Sequence, residues 1–213
     1  MILTCATAEE FKSARRKLMK SDEKLKALLK KHRGFSFSPR LERTPFESLV
    51  RAIAHQQLHG KAAETILGRM LELFPSQSFP SAEALMKIED AALRGCGYSG
   101  SKVKSIKDIA AKTVSGLVPG KKEILTLTND EIIGRLTEIY GVGRWTVEML
   151  LIFQLGRLDV WPVDDFGVRR GFQLWQKKRK MPTAKDLRKV GGKWAPYQTV
   201  VALYLWQEAN QAK

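Results

Sequence analysis

Apolar residues recur at helical spacing along most of the chain, and no stretch alternates with period two for long enough to predict a strand. Residues 12–31 mix apolar positions with many lysines, which predicts two short helices separated near Ser21-Asp22. A linker follows over 33–43, marked by Gly34 and Pro39. Thr44-Pro45-Phe46-Glu47 reads as a helix start, with Thr44 as cap, Pro45 in the first turn and Glu47 completing a capping box. Leu49, Val50, Ile53 and Ala54 then share one face. Gly60 permits a turn before a helix over 61–74, a loop spans 75–81, and short helices are expected over 81–88 and 90–94. Gly95 and Gly97 break the chain ahead of an amphipathic helix over 99–115, and Pro119-Gly120 marks a turn. Thr128-Asn129-Asp130-Glu131 is a second capping box, opening a helix expected to reach Tyr140, where Gly141-Val142-Gly143 interrupts it. Over 146–153 almost every residue except Glu148 is apolar, the pattern of a buried helix. Asp164 or Asp165 starts the next helix, a basic run fills 177–180, and a final helix rich in Val, Leu and aromatics spans 196–209.

This pattern predicts an all-α fold of two helical lobes with a cleft between them, forming one compact unit over 1–213. One lobe, about 45–165, carries the Gly-x-Gly hairpin, and the other combines the N-terminal segment with 166–213. There is no internal repeat and no low-complexity tract.

Charge narrows the partners. The 213 residues include 37 Lys and Arg against 22 Asp and Glu, a formal net charge of +15. Such a surplus favours polyanions, because neutralising phosphates releases condensed counterions. DNA, RNA and an acidic membrane surface all satisfy it. The two cysteines, Cys5 and Cys96, lie in no metal-ligand spacing and are too few for an iron–sulfur cluster or a disulfide framework, which points to a reducing compartment. No basic leader precedes an apolar run at the start, and no stretch approaches the ~20 apolar residues of a membrane span. The expectation is a cytoplasmic protein with no membrane partner.

The Gly141-Val142-Gly143 hairpin has a definite physical use. Glycines let backbone approach a phosphate closely, and the amides opening the next helix point at that anion. Arg144 adds positive charge beside it. A tight helix–helix turn is the plainer reading of an isolated Gly-x-Gly, but the flanking apolar helices and the chain's charge favour DNA.

Residues 136–146 resemble the helix-hairpin-helix of base-excision DNA glycosylases, and Val163-Asp164-Asp165, 22 residues beyond Gly143, resembles the Gly/Pro-rich loop and aspartate of that superfamily. Within the superfamily (HhH-GPD), the chain is most similar to the 3-methyladenine DNA glycosylase II branch. The resemblance continues through 54–63, through Gly97-Tyr98 to Lys102, and through Trp194 to Tyr197 and Trp206, in the expected order. Tyr140 stands where many relatives have Pro, and the chain is too short for the amino-terminal β domain of some bacterial relatives.

The resemblance implies a monomeric enzyme that excises alkylated bases from double-stranded DNA, in the nucleoid if bacterial or the nucleus if eukaryotic. Breaking an N-glycosidic bond builds positive charge on the sugar, which a carboxylate stabilises while it orients water. Asp164 and Asp165 compete for that role, and either can cap the following helix. Aligned on Arg169, the family aspartate falls on Asp165, with Asp164 as local support. The lysine nucleophile of strand-nicking relatives is replaced by Trp145, implying base release without lyase activity. The damaged base must leave the stack. The resemblance places Gln57 in the vacated gap, His59 at the minor groove, and Lys61, Gly141, Gly143, Arg144 and Thr146 on the DNA. Trp145 and Trp206 match pocket positions, with Trp161 and Tyr197 as further candidates. An aromatic sandwich suits a cationic base, although core packing is the commoner fate of Trp at helical spacing. His55 and His59 stand four apart, but Gln56 replaces the Glu of a zinc helix and His32 is the only other histidine. No cofactor is implied beyond a structural Na+, K+ or Ca2+ ion on the carbonyls of Thr137, Ile139 and Val142. The alternative is a non-catalytic helix-hairpin-helix protein that binds DNA or senses damage.

Overall fold

The computed structural model describes residues 6–58 and 60–211, so Cys5 and His59 lie outside the described residues. Those residues form twelve α-helices and two short 3-10 turns, with no strand. No helix among them is long and apolar enough to cross a membrane. The described residues divide into two compact units, one within 41–150 and the other combining 6–40 with 151–211.

Within the second unit, α1 (Ala8–Ser21) starts earlier than the periodicity suggests. Thr7 and Glu10 form a reciprocal capping box there. Asp22 ends α1 and caps α2 (Glu23–Lys31) through its carboxylate.

In the first unit, α3 (Pro45–His55) begins at Thr44, whose hydroxyl accepts the Glu47 N–H, with Pro45 in the first turn. The expected capping box is incomplete. The Glu47 carboxylate accepts the Arg51 Nε–H at 2.9 Å, and an ion pair in that geometry outcompetes a return bond to the Thr44 amide. Then come α4 (Gly60–Glu72), α5 (Ala82–Lys87), α6 (Asp90–Gly95), α7 (Gly100–Val114) and α8 (Asn129–Leu136), the last opened by the Thr128–Glu131 capping box. Helix α7 packs against both α3 and α5. The apolar faces that meet there include Leu49, Val50 and Ile53 of α3 with Val103, Ile106 and Ile109 of α7, all buried. Each such side chain contributes roughly 1.5–3 kcal/mol relative to exposure.

Helix α9 (Arg144–Phe153) starts two residues before its expected position and is less enclosed than its sequence suggests, since Trp145 and Phe153 are 44% and 40% exposed. Helix α10 (Phe166–Trp175) packs along α12 (Gln198–Gln211) within the second unit. Residues 199–205 of α12 are buried all round, which explains why that helix lacks an amphipathic pattern. A Cβ on Gly171 would run into the Leu205 carbonyl, so the two backbones touch where α10 carries no side chain. Between them lies α11 (Ala184–Gly191), a helix the apolar pattern does not reveal, opened by a Thr183–Asp186 capping box.

Candidate functional site

The hairpin of the first unit is built by what stops α8. After Leu136 the chain tightens into i→i−3 bonds, Glu138 to Arg135 and Ile139 to Leu136, so the helix ends four residues short of Tyr140. Gly141 then takes φ +77, and a Cβ there would overlap the Ser105 hydroxyl, so both conformation and space require glycine. Val142 is buried and its N–H donates to the Ile139 carbonyl at 3.1 Å. Helix α7 braces the turn. Asp108 accepts the Tyr140 N–H at 2.7 Å and pairs with Lys112, whose ammonium also reaches the Glu138 carbonyl. Lys104 lies 4.2 Å from the Tyr140 ring centroid. Arg144 opens α9, but its guanidinium is shared with Glu148 at 3.0 Å, so it offers less than a full charge to a passing anion. Gly143 is exposed at the tip. The Ile139 carbonyl keeps one lone pair after receiving Val142. The Thr137, Ile139 and Val142 carbonyls are neutral oxygens, a donor type that suits Na+, K+ or Ca2+.

The turn after α3 is tied to this hairpin. Gln56 Nε2 donates to the Gly141 carbonyl at 3.1 Å and approaches the Thr146 hydroxyl at 3.4 Å. Thr146 is buried, so its side chain serves this tether and is not a surface contact. The next residue, Gln57, has φ +56, a left-handed conformation costing roughly 1–2 kcal/mol for a residue with a Cβ. Gln57 and Leu58 project into solvent. On the other side, Lys102 donates to the Ala54 carbonyl at 2.9 Å, and burial pulls its ammonium below the usual lysine range. Lys61 is exposed in the first turn of α4. His55 pairs with Glu64 at 3.2 Å, and no cluster of three metal-ligating residues occurs among the described residues. Gln56→Ala is expected to lower stability by about 1 kcal/mol, or roughly 2–4 °C in Tm, and to speed amide exchange at residues 57 and 58. Unchanged exchange there would show that Gln56 does not hold the turn.

The second unit presents the carboxylate. Bonds from the Val163 N–H to the Trp161 carbonyl (2.9 Å) and from the Asp165 N–H to the Pro162 carbonyl (3.1 Å) wind the segment into α10. Asp165 is its N-cap and is 8% exposed, whereas Asp164 is exposed. Asp165 Oδ1 accepts the Val168 N–H at 2.8 Å and the Trp206 indole N–H at 2.8 Å. Two donors from different helices therefore fix one oxygen in place. Trp206 also stacks on Phe153, with centroids 5.4 Å apart and planes at 30°. Its edge occupies the space a side chain at Gly167 would need. Phe166, next to Asp165, is 68% exposed.

The other sequence candidates of this unit are committed elsewhere. Trp161 donates to the Leu187 carbonyl at 2.9 Å and packs edge-on against Trp194, in a cluster that continues to Phe172 and Trp175. The Tyr197 hydroxyl accepts from Lys17 at 2.9 Å, with that ammonium 5.4 Å from the ring centroid. Phe153 is the residue that sequence reasoning missed, because it closes an apolar run that reads as core.

The sequence profile of HhH-GPD superfamily base excision DNA repair proteins matches residues 50–196. DNA-3-methyladenine glycosylase 1 of Schizosaccharomyces pombe is 42% identical over 192 residues, 90% of this chain and 84% of that protein. The alkylbase DNA glycosidase-like protein mag2 of the same organism is 32% identical over 199 residues, 93% of each. The solved structure of the S. pombe 3-methyladenine DNA glycosylase in complex with abasic DNA matches with a TM-score of 0.83 at 41% identity, covering 92% of this chain and 95% of that one.

Proposed function

Because the chain belongs to the HhH-GPD superfamily of base excision DNA repair proteins, we propose that it is a DNA-3-methyladenine glycosylase. It hydrolyses the N-glycosidic bond of alkylated purines in duplex DNA and leaves an abasic site. The observation that carries this reading is Asp165, a buried carboxylate held by the Val168 amide and the Trp206 indole. As the glycosidic bond lengthens, positive charge grows on the deoxyribose, and a fixed carboxylate stabilises it without reorganising. An alkylated purine is already cationic and leaves with little help from a general acid. Water completes the reaction at the sugar, and the carboxylate can orient it or take its proton. The Trp206–Phe153 stack supplies aromatic surface beside the carboxylate, suited to a cationic base.

In the first unit, the Gly141–Gly143 hairpin with Arg144 takes a backbone phosphate, and a cation on the Thr137, Ile139 and Val142 carbonyls would add positive charge there. The exposed Gln57 turn fills the gap left by the extruded base, with Lys61 nearby in sequence. His59 completes this set by its position in the chain. The protein works as a monomer and needs no organic cofactor.

Incubation with methylated duplex should release free 3-methyladenine or 7-methylguanine, detected chromatographically. Intact DNA binding with no release from any alkylated substrate would replace this reading with a non-catalytic damage binder. Trp145 stands where strand-nicking relatives place a lysine, so no Schiff base can form there. Borohydride is accordingly expected to trap no covalent complex, and strands should break only after alkali or heat. A borohydride-trapped adduct would locate an amine nucleophile elsewhere and overturn the hydrolytic mechanism.

A further inference from the structure

We propose that the exposed basic segment running from the end of α10 into α11 is a second contact surface for the DNA backbone, engaging phosphates that flank the nucleotide addressed by Asp165. This rests on DNA being the substrate, but not on catalysis.

Four consecutive cations occupy 177–180, and Lys185, Arg188 and Lys189 follow on α11. All are exposed, and none takes part in an ion pair among the described residues. Elsewhere many cations are neutralised in place, as Arg51 is by Glu47, Lys112 by Asp108 and Arg135 by Glu123. Within 177–189 the single acid is Asp186. Its carboxylate is engaged by the Thr183 hydroxyl and amide, and these bonds, with Lys189 and Lys178 behind them, hold it below the usual range. Lys178 and Lys189 both act on Asp186 through space, so the run and α11 lie in one basic region.

The run is also folded into place. Lys177 donates to the Leu174 carbonyl and Lys178 to the Gln173 carbonyl, the two bonds of a Schellman cap on α10. That motif requires a left-handed residue at Lys177, whose φ is +51. Glycine is the residue of lowest strain there, and a lysine costs roughly 1–2 kcal/mol more. A charge therefore stands where conformation alone favours glycine. Further on, Gln173 Nε2 donates to the Arg179 carbonyl at 3.3 Å, and Arg169 Nε to the Pro182 carbonyl at 2.8 Å. A charged face kept for solubility needs no such order. The helix dipole favours cations only in the last turn, so it does not account for Arg179, Lys180 or the residues of α11.

The ten residues of α10 span about 15 Å, at 1.5 Å per residue. Asp165 caps one end and the patch begins just past the other. A distance of about 15 Å corresponds to roughly four or five base pairs of duplex at 3.4 Å each. The patch therefore suits flanking phosphates and not the damaged nucleotide itself.

The test is the variant Lys178→Gln/Arg179→Gln/Lys180→Gln, compared with the unaltered protein on undamaged duplexes. On a long duplex, the slope of log affinity against log salt should fall by about 2–3, since each lost phosphate contact removes about 0.9. On a duplex too short to reach the patch, the two proteins should bind alike. Single-turnover base release at saturating protein should stay within about twofold, because no hydrogen bond to Asp165 is altered. An unchanged slope on the long duplex overturns the proposal. So does an equal loss on both lengths, or a loss of binding to anionic vesicles with DNA binding intact. Absent base release by the unaltered protein, with the slope change present, would refute the enzyme reading and leave this surface standing.

Discussion

Asp165→Asn is expected to slow base release by about a thousandfold or more while leaving affinity for DNA within a few fold. The substitution isolates charge from structure. Asparagine caps helices as well as aspartate does, and its amide oxygen can still accept the Val168 N–H and the Trp206 indole N–H. The fold of α10 should therefore survive, with a Tm close to that of the unaltered protein. What disappears is the negative charge proposed to stabilise a cationic sugar, and removing a single preorganised electrostatic group costs about 100- to 1,000-fold even when the group is neutral. Single-turnover release from methylated duplex, set beside a gel-shift titration, reads both quantities. Asp164→Asn is the matched control. Asp164 is exposed while Asp165 is buried, so its loss should leave release within about threefold, since surface charges are screened. Release by Asp165→Asn within tenfold of normal would remove Asp165 from the mechanism.

The two aspartates differ in what their surroundings make of them. The loop, its aspartates and the following helix are all legible from Val163-Asp164-Asp165, but the local pattern lets either aspartate cap that helix. Asp165 caps the helix and also receives Trp206, because one carboxylate oxygen can accept two donors. The family position of Trp206 was visible as well. Its bond to Asp165 was not, since it joins residues 41 positions apart and depends on how closely α10 and α12 approach. The same holds for Gln56, which looks like an unremarkable neighbour of Gln57 until the hairpin carbonyl 85 residues away is brought beside it.

The secondary structure was most legible where a local signal suffices. Thr44-Pro45 starts α3 and Thr128 with Glu131 starts α8, because caps act within three or four residues. Helix α11 leaves no apolar signal, although Thr183 and Asp186 form the same motif. Its eight residues bury only Leu187 and Gly191, too little to register as an apolar stripe against lysines and arginines. The end of α8 was misplaced for the opposite reason. Leu136 and Ile139 continue the helical spacing, and the tightening into i→i−3 bonds is imposed by Gly141 and by the clasp of Asp108 on Tyr140. Trp161 illustrates a third limit. Its type suits a base-binding pocket as well as a core, and its bond to Leu187 assigns it to packing in this fold.

The approach of α10 to α12 makes the second large prediction. Gly171→Ala should destabilise the protein by about 3 kcal/mol, because its Cβ would meet backbone, which has no rotamer by which to move aside. For a chain of this size that corresponds to a fall in Tm of roughly 6–12 °C in a thermal melt. Helix propensity alone argues the other way, since alanine is favoured over glycine inside a helix by about 1 kcal/mol. Gly134 on α8 makes the contrast measurable. It has nothing within 4 Å of an added Cβ, so Gly134→Ala should leave stability unchanged or raise it slightly. The consequence for Gly171→Ala extends to the site, because Leu205 immediately precedes Trp206, and Trp206 holds Asp165 at 2.8 Å. Relieving the overlap must separate the helices or rotate α12, and either movement stretches that bond. The folded fraction of Gly171→Ala, assayed well below its own Tm, should therefore release base more slowly than Gly134→Ala does. Equal rates, together with a large loss of stability, would show that the Asp165–Trp206 bond tolerates the displacement and that the glycine serves packing alone.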